Sequence, residues 1–191
     1  MYLAIRSVVL ISLFFFSTVL FSQSTKTNQN ALETGIIGAG DESLYYGGYG
    51  KYIIPISQRK HHFMLALSLA AYFDFKGESE KEAYLKNDFD MRLIPTINIG
   101  YSLNFKKVQL NFEIPVGVSL AITKGTLVNE KIGFERDFSN KEVFFNYGFS
   151  FSPKYKINNT NSIGLYSFLP LQKAQSGYQI GIGWTKTFRN N

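Results

Sequence analysis

Between residues 91 and 105 the apolar side chains fall on every second position. Met91, Leu93, Pro95, Ile97, Ile99, Tyr101, Leu103 and Phe105 alternate with Arg92, Ile94, Thr96, Asn98, Gly100, Ser102 and Asn104. A period of two places each set on its own face of an extended strand, whereas a helix would scatter both around its axis. Residues 108–122 repeat the pattern with opposite parity: Val108, Leu110, Phe112, Ile114, Val116, Val118, Leu120 and Ile122 form the apolar set. Only Lys106-Lys107 separates the two segments. A two-residue hairpin turn at that dipeptide sets Leu103 opposite Leu110 and Asn104 opposite Gln109, and the two apolar faces then coincide.

The same alternation runs through residues 63–75, 143–157 and 178–188, and more weakly through 46–57, 162–171 and 33–40. That predicts about eight strands, all joinable as antiparallel hairpins. Their connections alternate in length. Residues 58–61, 106–107 and 158–161 are tight, residues 77–90 and 123–141 are long and charged, and 41–45 and 173–177 are short links at the same end as the long ones. Tight turns at one end and longer loops at the other match an all-β, eight-stranded antiparallel up-and-down transmembrane β-barrel. Pro95, Pro115, Pro153 and Pro170 each remove a ladder donor, so bulges or local breaks are expected there.

The two faces indicate which side meets lipid. The polar face is made of Gly, Ser, Thr, Asn and Gln with isolated charges at Lys51, Asp74, Arg92, Glu113 and Lys154. Small polar residues suit the narrow lumen of an eight-stranded barrel. The apolar face is nearly free of charge over the 9–11 residues, roughly, that a tilted strand needs to cross hydrocarbon. Tyr101, Phe105, Tyr155, Trp184 and Phe188 are the lipid-facing aromatics expected at the membrane interface. Lys186 shares that face near a strand end, where its stem can snorkel. A secreted soluble barrel of the lipocalin type, holding a lipid or other apolar ligand, has the same strand count and stands as the alternative.

Arg6 precedes an apolar run over residues 8–21, and Ser22-Gln23 leads into a polar stretch. This reads as a cleaved secretory signal over residues 1–22, then a short periplasmic segment over 23–32 and the barrel over 33–191. The absence of Cys excludes disulfides, a thiolate zinc site, a thiol nucleophile and a lipid-attachment Cys. A formal charge of +6 comes from basic residues in short turns rather than a stripe, so nucleic acid is not a partner.

With its signal segment, eight alternating strands and terminal YQIGIGWTKTF ending near Phe188, the chain resembles the small outer-membrane β-barrel proteins of Gram-negative bacteria, the OmpA transmembrane domain and OmpX type. The resemblance implies residence in the bacterial outer membrane, contact with its lipids and lipopolysaccharide, and recognition of the last strand by the barrel-assembly machinery. Here Arg189-Asn190-Asn191 follows the near-terminal Phe188, a departure from the typical terminal Phe. The role implied is non-enzymatic, structural or surface-interacting.

Chemistry is sparse. His61 and His62 adjoin a tight turn, the expected periplasmic end, whereas lipid-modifying enzymes resembling this architecture act toward the outer leaflet. Such an enzyme remains a third reading, but no catalytic residue and no cofactor is assigned, since a general base must lie within reach of its partner. Glu78, Glu80, Glu82, Asp88 and Asp90 match no calcium loop, and Lys76, Lys81 and Lys86 intervene, so no metal is assigned either. Inside the lumen, Glu113 is expected to pair with Lys154 and Arg92 with Asp74, the alternative being separate hydration. Arg59, Lys60, Lys106, Lys107, Lys154, Lys156 and Arg189 gather at the turn end, toward anionic headgroups or a periplasmic partner. The segment 123–141, with Ile132, Phe134 and Phe138 among charges, is the best candidate for contact with a surface partner.

Overall fold

Every described strand hydrogen-bonds to two neighbours and the last closes on the first: a ring β1-β2-β3-β4-β5-β6-β7-β8. The computed structural model describes residues 29–40, 44–57, 59–76, 85–129, 133–171 and 177–188. The strands are β1 (Ala31–Gly40), β2 (Leu44–Pro55), β3 (His62–Lys76), β4 (Leu85–Asn104), β5 (Val108–Asn129), β6 (Phe134–Lys156), β7 (Asn161–Pro170) and β8 (Tyr178–Thr187). The barrel thus begins at Ala31, two residues ahead of the expected Glu33. The expected signal segment lies outside the described residues.

The hairpin at Lys106-Lys107 has the register its sequence dictates, Leu103 opposite Leu110 and Asn104 opposite Gln109. Phe105 N–H donates to the Val108 carbonyl at 2.7 Å to close it. The ring closes where β1 meets β8, with Gly35 opposite Gly183 and Ala31 opposite Thr187. Closure leaves no sheet edge within the ring.

Parity then decides every residue's side. On β4, Ile97 is 53 % exposed while the next residue, Asn98, is 2 % exposed. The barrel is therefore apolar outside and polar at many inward positions, the reverse of a water-soluble core. Two apolar clusters share the lumen with those polar groups. Ile37, Ala39, Tyr45, Tyr49, Tyr72 and Ile94 fill the half away from the tight turns, and Ala31, Ile53, Met64 and Ala66 lie toward the turn end.

At Pro95, Pro115 and Pro153 the expected bulges or local breaks take the form of gaps in pairing. Pairing of β4 with β5 skips from Leu93↔Leu120 to Thr96↔Gly117, while Pro95 still faces Leu69 on β3. Pro115 and Pro153 behave alike: β5–β6 pairing skips from Glu113↔Ser150 to Val116↔Tyr147, and β6–β7 pairing from Phe151↔Ser167 to Lys154↔Gly164. In an antiparallel ladder a residue's N–H and C=O point to the same neighbour, so each proline costs pairing on one side and the register continues unchanged. The only register shift on the β4–β5 ladder falls between Lys86 and Phe89.

Segment lengths depart most from expectation at the far end. β5 and β6 run to 22 and 23 residues, against 10 each for β1, β7 and β8. Residues 123–141, expected as a loop, are largely a hairpin of paired strand, from Thr123↔Asn140 to Asn129↔Phe134. Gly133, at φ 63°, supplies the left-handed residue that its turn needs. Within the expected loop 77–90, Leu85 onward is already β4, and residues 77–84, with Glu78, Glu80 and Glu82, lie outside the described residues. One wall, β3 through β6, therefore stands above the rest of the ring.

Candidate functional site

Two features stand out from a plain barrel: a charge cluster in the lumen and the extended wall. The cluster is set by strand parity. Odd positions of β1, β2 and β5 and even positions of β6 face inward, which points Glu33, Lys51, Glu113 and Lys154 at one another across the ring. Lys51 Nζ donates to Glu113 Oε1 at 2.9 Å and Oε2 at 3.0 Å, with side chains 1 % and 0 % exposed. Lys154 Nζ donates to Glu33 Oε2 at 2.5 Å and to Thr185 Oγ1 at 3.0 Å. The Tyr49 hydroxyl donates to Glu33 Oε1 at 2.6 Å. Tyr166 stacks on Tyr49 with ring centroids 5.0 Å apart, and the Lys51 ammonium sits 5.0 Å from the Tyr166 centroid. Each buried charge thus has an opposite charge, and Glu33, Lys51 and Lys154 also have a hydroxyl partner or an aromatic face.

Glu113 does not pair with Lys154, contrary to expectation. Register sets Glu113 opposite Ser150 and Lys154 opposite Gln109, four residues apart along β6. That offset is about 13 Å of strand. Each acid instead reaches across the lumen to a lysine several strands away, because a narrow ring brings opposite walls within side-chain length. Glu33 escaped the sequence reading because the β1 alternation is weak. A charge count held the signal: Lys51 and Lys154 against Glu113 alone leaves one cation unmatched.

Higher in the lumen, Arg92 Nη2 donates to the Tyr45 hydroxyl at 3.0 Å, and that hydroxyl donates to Asp90 Oδ2 at 3.0 Å. The Arg92 guanidinium lies 3.6 Å from Asp90 Oδ2 and 4.6 Å from the Tyr45 ring centroid. The described carboxylate partner of Arg92 is therefore Asp90, on its own strand. Asp74, expected in that place, faces Asp90 in the backbone register, and its side chain lies outside those described. The side chain of Asp88 does likewise.

Nearer the tight turns, Ser102, Asn104, Gln109 and Asn111 form an amide and hydroxyl network, with Gln109 Nε2 donating to Ser102 Oγ at 3.0 Å and Asn111 Oδ1 at 3.1 Å. His61 Nδ1 accepts from the Asn104 backbone N–H at 3.0 Å. Its imidazole is held below the ordinary histidine range by burial, then by the Lys60 and Lys156 ammonium groups. His62, expected in a solvated turn, is instead buried on the lumen side. Among the described residues no group of three or more His, Asp or Glu is placed to hold a metal ion. Phe105, Tyr155, Trp184 and Phe188 are exposed on the outer surface, and Tyr101 is half-buried there against Phe63, ring centroids 5.0 Å apart.

Space for the charge cluster comes from missing side chains. A Cβ at Gly183 would collide with the Tyr49 hydroxyl and lie 3.2 Å from Glu33 Oε1. Replacing Gly183 by Val is expected to cost about 1–3 kcal/mol of unfolding free energy, the range for overfilling a packed interior. A urea midpoint unchanged from the parent protein would show that Tyr49 moves aside freely.

The extended wall is the second feature. β7 pairs with β6 only from Gly148 to Lys156, so residues 134–145 have no neighbouring strand on that edge among the described residues. Phe134, Val143 and Phe145 are exposed there among Glu135, Arg136, Asp137, Lys141 and Glu142. Thr126 Oγ1 donates to Asp137 Oδ1 at 2.8 Å and Asn140 Nδ2 to Glu142 Oε1 at 2.7 Å. The first of these bonds crosses the hairpin between residues paired in its ladder, and the second runs along β6.

In its fold the chain is similar to Ail, the attachment invasion locus protein of Yersinia pestis. Against that crystal structure the TM-score is 0.56 at 12 % identity, over 85 % of this chain and 99 % of that one. The complex of Ail with the heparin analogue sucrose octasulfate gives 0.55 at 12 %, over the same shares. Its backbone structure in a phospholipid bilayer nanodisc gives 0.51 at 12 %, over 84 % and 99 %. No protein-family model and no curated protein matches the sequence. The likeness is one of architecture, and the chain has the fold of the small outer-membrane β-barrel proteins.

Proposed function

We propose that this chain is a non-enzymatic integral protein of the bacterial outer membrane, one that presents its extended β3–β6 wall to the cell exterior as an interaction surface. The observation that carries this reading is the combination of an apolar belt on the ring, nearly free of charge, with a polar, open-edged hairpin rising from one side of it. An exposed run of backbone N–H and C=O groups is a template for an added strand, and the charges around it keep the edge from self-pairing. The belt meets lipid, the aromatics at its turn end lie at headgroup level, and the wall stands among lipopolysaccharide. Folding passes through the barrel-assembly machinery. The non-enzymatic reading is supported by the lumen, where the described buried acids and lysines are committed to one another.

Because the chain has no Cys, single cysteines report orientation cleanly. Ser139→Cys in the hairpin is expected to react with a membrane-impermeant maleimide in intact cells, and Lys107→Cys only after the outer membrane is permeabilised. Labelling of Lys107→Cys in intact cells, with Ser139→Cys protected, would reverse the orientation and sink the surface role.

A further inference from the structure

At the turn end the lumen opens into a vestibule of about 740 Å³, within the size range of small-molecule sites. Lys60, Lys106, Lys107, Lys154 and Lys156 line it with His62, and no carboxylate is among its described lining residues. Lys154 is spoken for by Glu33. Lys156 Nζ donates to the Phe105 carbonyl at 3.1 Å, a bond that leaves its charge uncompensated. Besides Lys154, four lysines thus line one concavity with no carboxylate among the described residues that face them. A concave wall of low dielectric focuses such a field, and the lowered basicity of His61, after burial, has Lys60 and Lys156 as its cause.

We propose that this vestibule binds a phosphate group, presented either by a lipid headgroup or by a free phosphate compound in solution. Four flexible point charges around a pocket match a compact, multiply charged oxyanion that accepts several charge-assisted hydrogen bonds. A lone carboxylate would leave most of the rim uncompensated. The rim lysines 60, 106 and 107 are exposed and sit in turns, so they close on a ligand without disturbing the ladder. The site belongs to the barrel end, and its test in detergent stands whether or not the outer face meets lipid.

Pyrophosphate titrated calorimetrically into the whole barrel in uncharged detergent at low salt is expected to bind saturably at one site. The triple variant Lys60→Gln, Lys106→Gln, Lys107→Gln is expected to weaken that affinity about tenfold or more. Lys124→Gln, exposed on β5 away from the vestibule, is expected to leave it as in the parent. Heat-dependent gel mobility confirms that each variant is folded. No saturable binding, or equal affinity in the triple variant, overturns the site. Nanodiscs then separate the two sources. Unchanged pyrophosphate affinity on adding phosphatidylglycerol to phosphatidylcholine discs assigns a free phosphate compound, and competition by phosphatidylglycerol assigns the headgroup.

Discussion

Glu113→Ala is expected to destabilise the barrel by about 3–5 kcal/mol, the cost of leaving a buried charge without its partner. The stranded group is Lys51, whose side chain is 1 % exposed and whose ammonium keeps only the face of Tyr166 and the field of Glu33, a carboxylate already bonded to Lys154. Lys51→Met alone strands Glu113 and should cost a similar amount. The double variant Lys51→Met, Glu113→Leu should recover most of the loss, since apolar replacements of similar volume are often neutral against a buried ion pair. Urea unfolding in phospholipid vesicles measures all of these. The decisive quantity is the coupling. Glu113 with Lys51 and Glu33 with Lys154 should each depart strongly from additivity, and Glu113 with Lys154 should depart far less. Equal coupling in all three pairs would mean that the four charges share one diffuse, hydrated field rather than two bonded pairs.

How much of this was legible in the sequence varies strand by strand. In β3 to β6 and β8 the outward positions are mostly large and apolar and the inward ones mostly small or polar, Met64, Tyr72 and Ile94 apart, so faces and the 106–107 register follow from alternation alone. In β1 and β2 that signal is weak. Their inward positions include Ile37, Tyr45, Tyr49 and Ile53, and their outward ones Thr34, Gly48 and Gly50, so the contrast between faces is lost. That concealed Glu33, and with it the correct partner of Lys154. The 123–141 hairpin lacks the strand signal for a related reason. Beyond the closed ring both faces of a strand meet water, so nothing in the composition needs to alternate. Cross-lumen pairing was out of reach in principle. Hairpin registers fix neighbours, but Lys51 and Glu113 lie on β2 and β5 and meet only because the ring closes.

Ile97→Arg carries the second large effect, and it tests the medium around the barrel rather than its interior. Ile97 sits between Leu67 and Val116 on the outer face, midway along the part of β4 that pairs within the ring. At the middle of a bilayer an outward arginine costs about 2–4 kcal/mol, falling to about 0–1 near the interfaces. Phe105→Arg, on the same face at the turn end, should therefore cost far less than Ile97→Arg, and Ile182→Arg on β8 should behave as Ile97→Arg does. Water would impose no such gradient. For a soluble barrel, a half-exposed Ile97 replaced by Arg should change stability within about 0.5 kcal/mol wherever it lies along the strand. A depth-dependent penalty in vesicles, with loss of the folded gel band for the midplane variants, is the expected result. Equal and small effects at Ile97, Ile182 and Phe105, in protein that stays soluble without detergent, would turn the apolar face toward a ligand or partner in water and remove the membrane from the account.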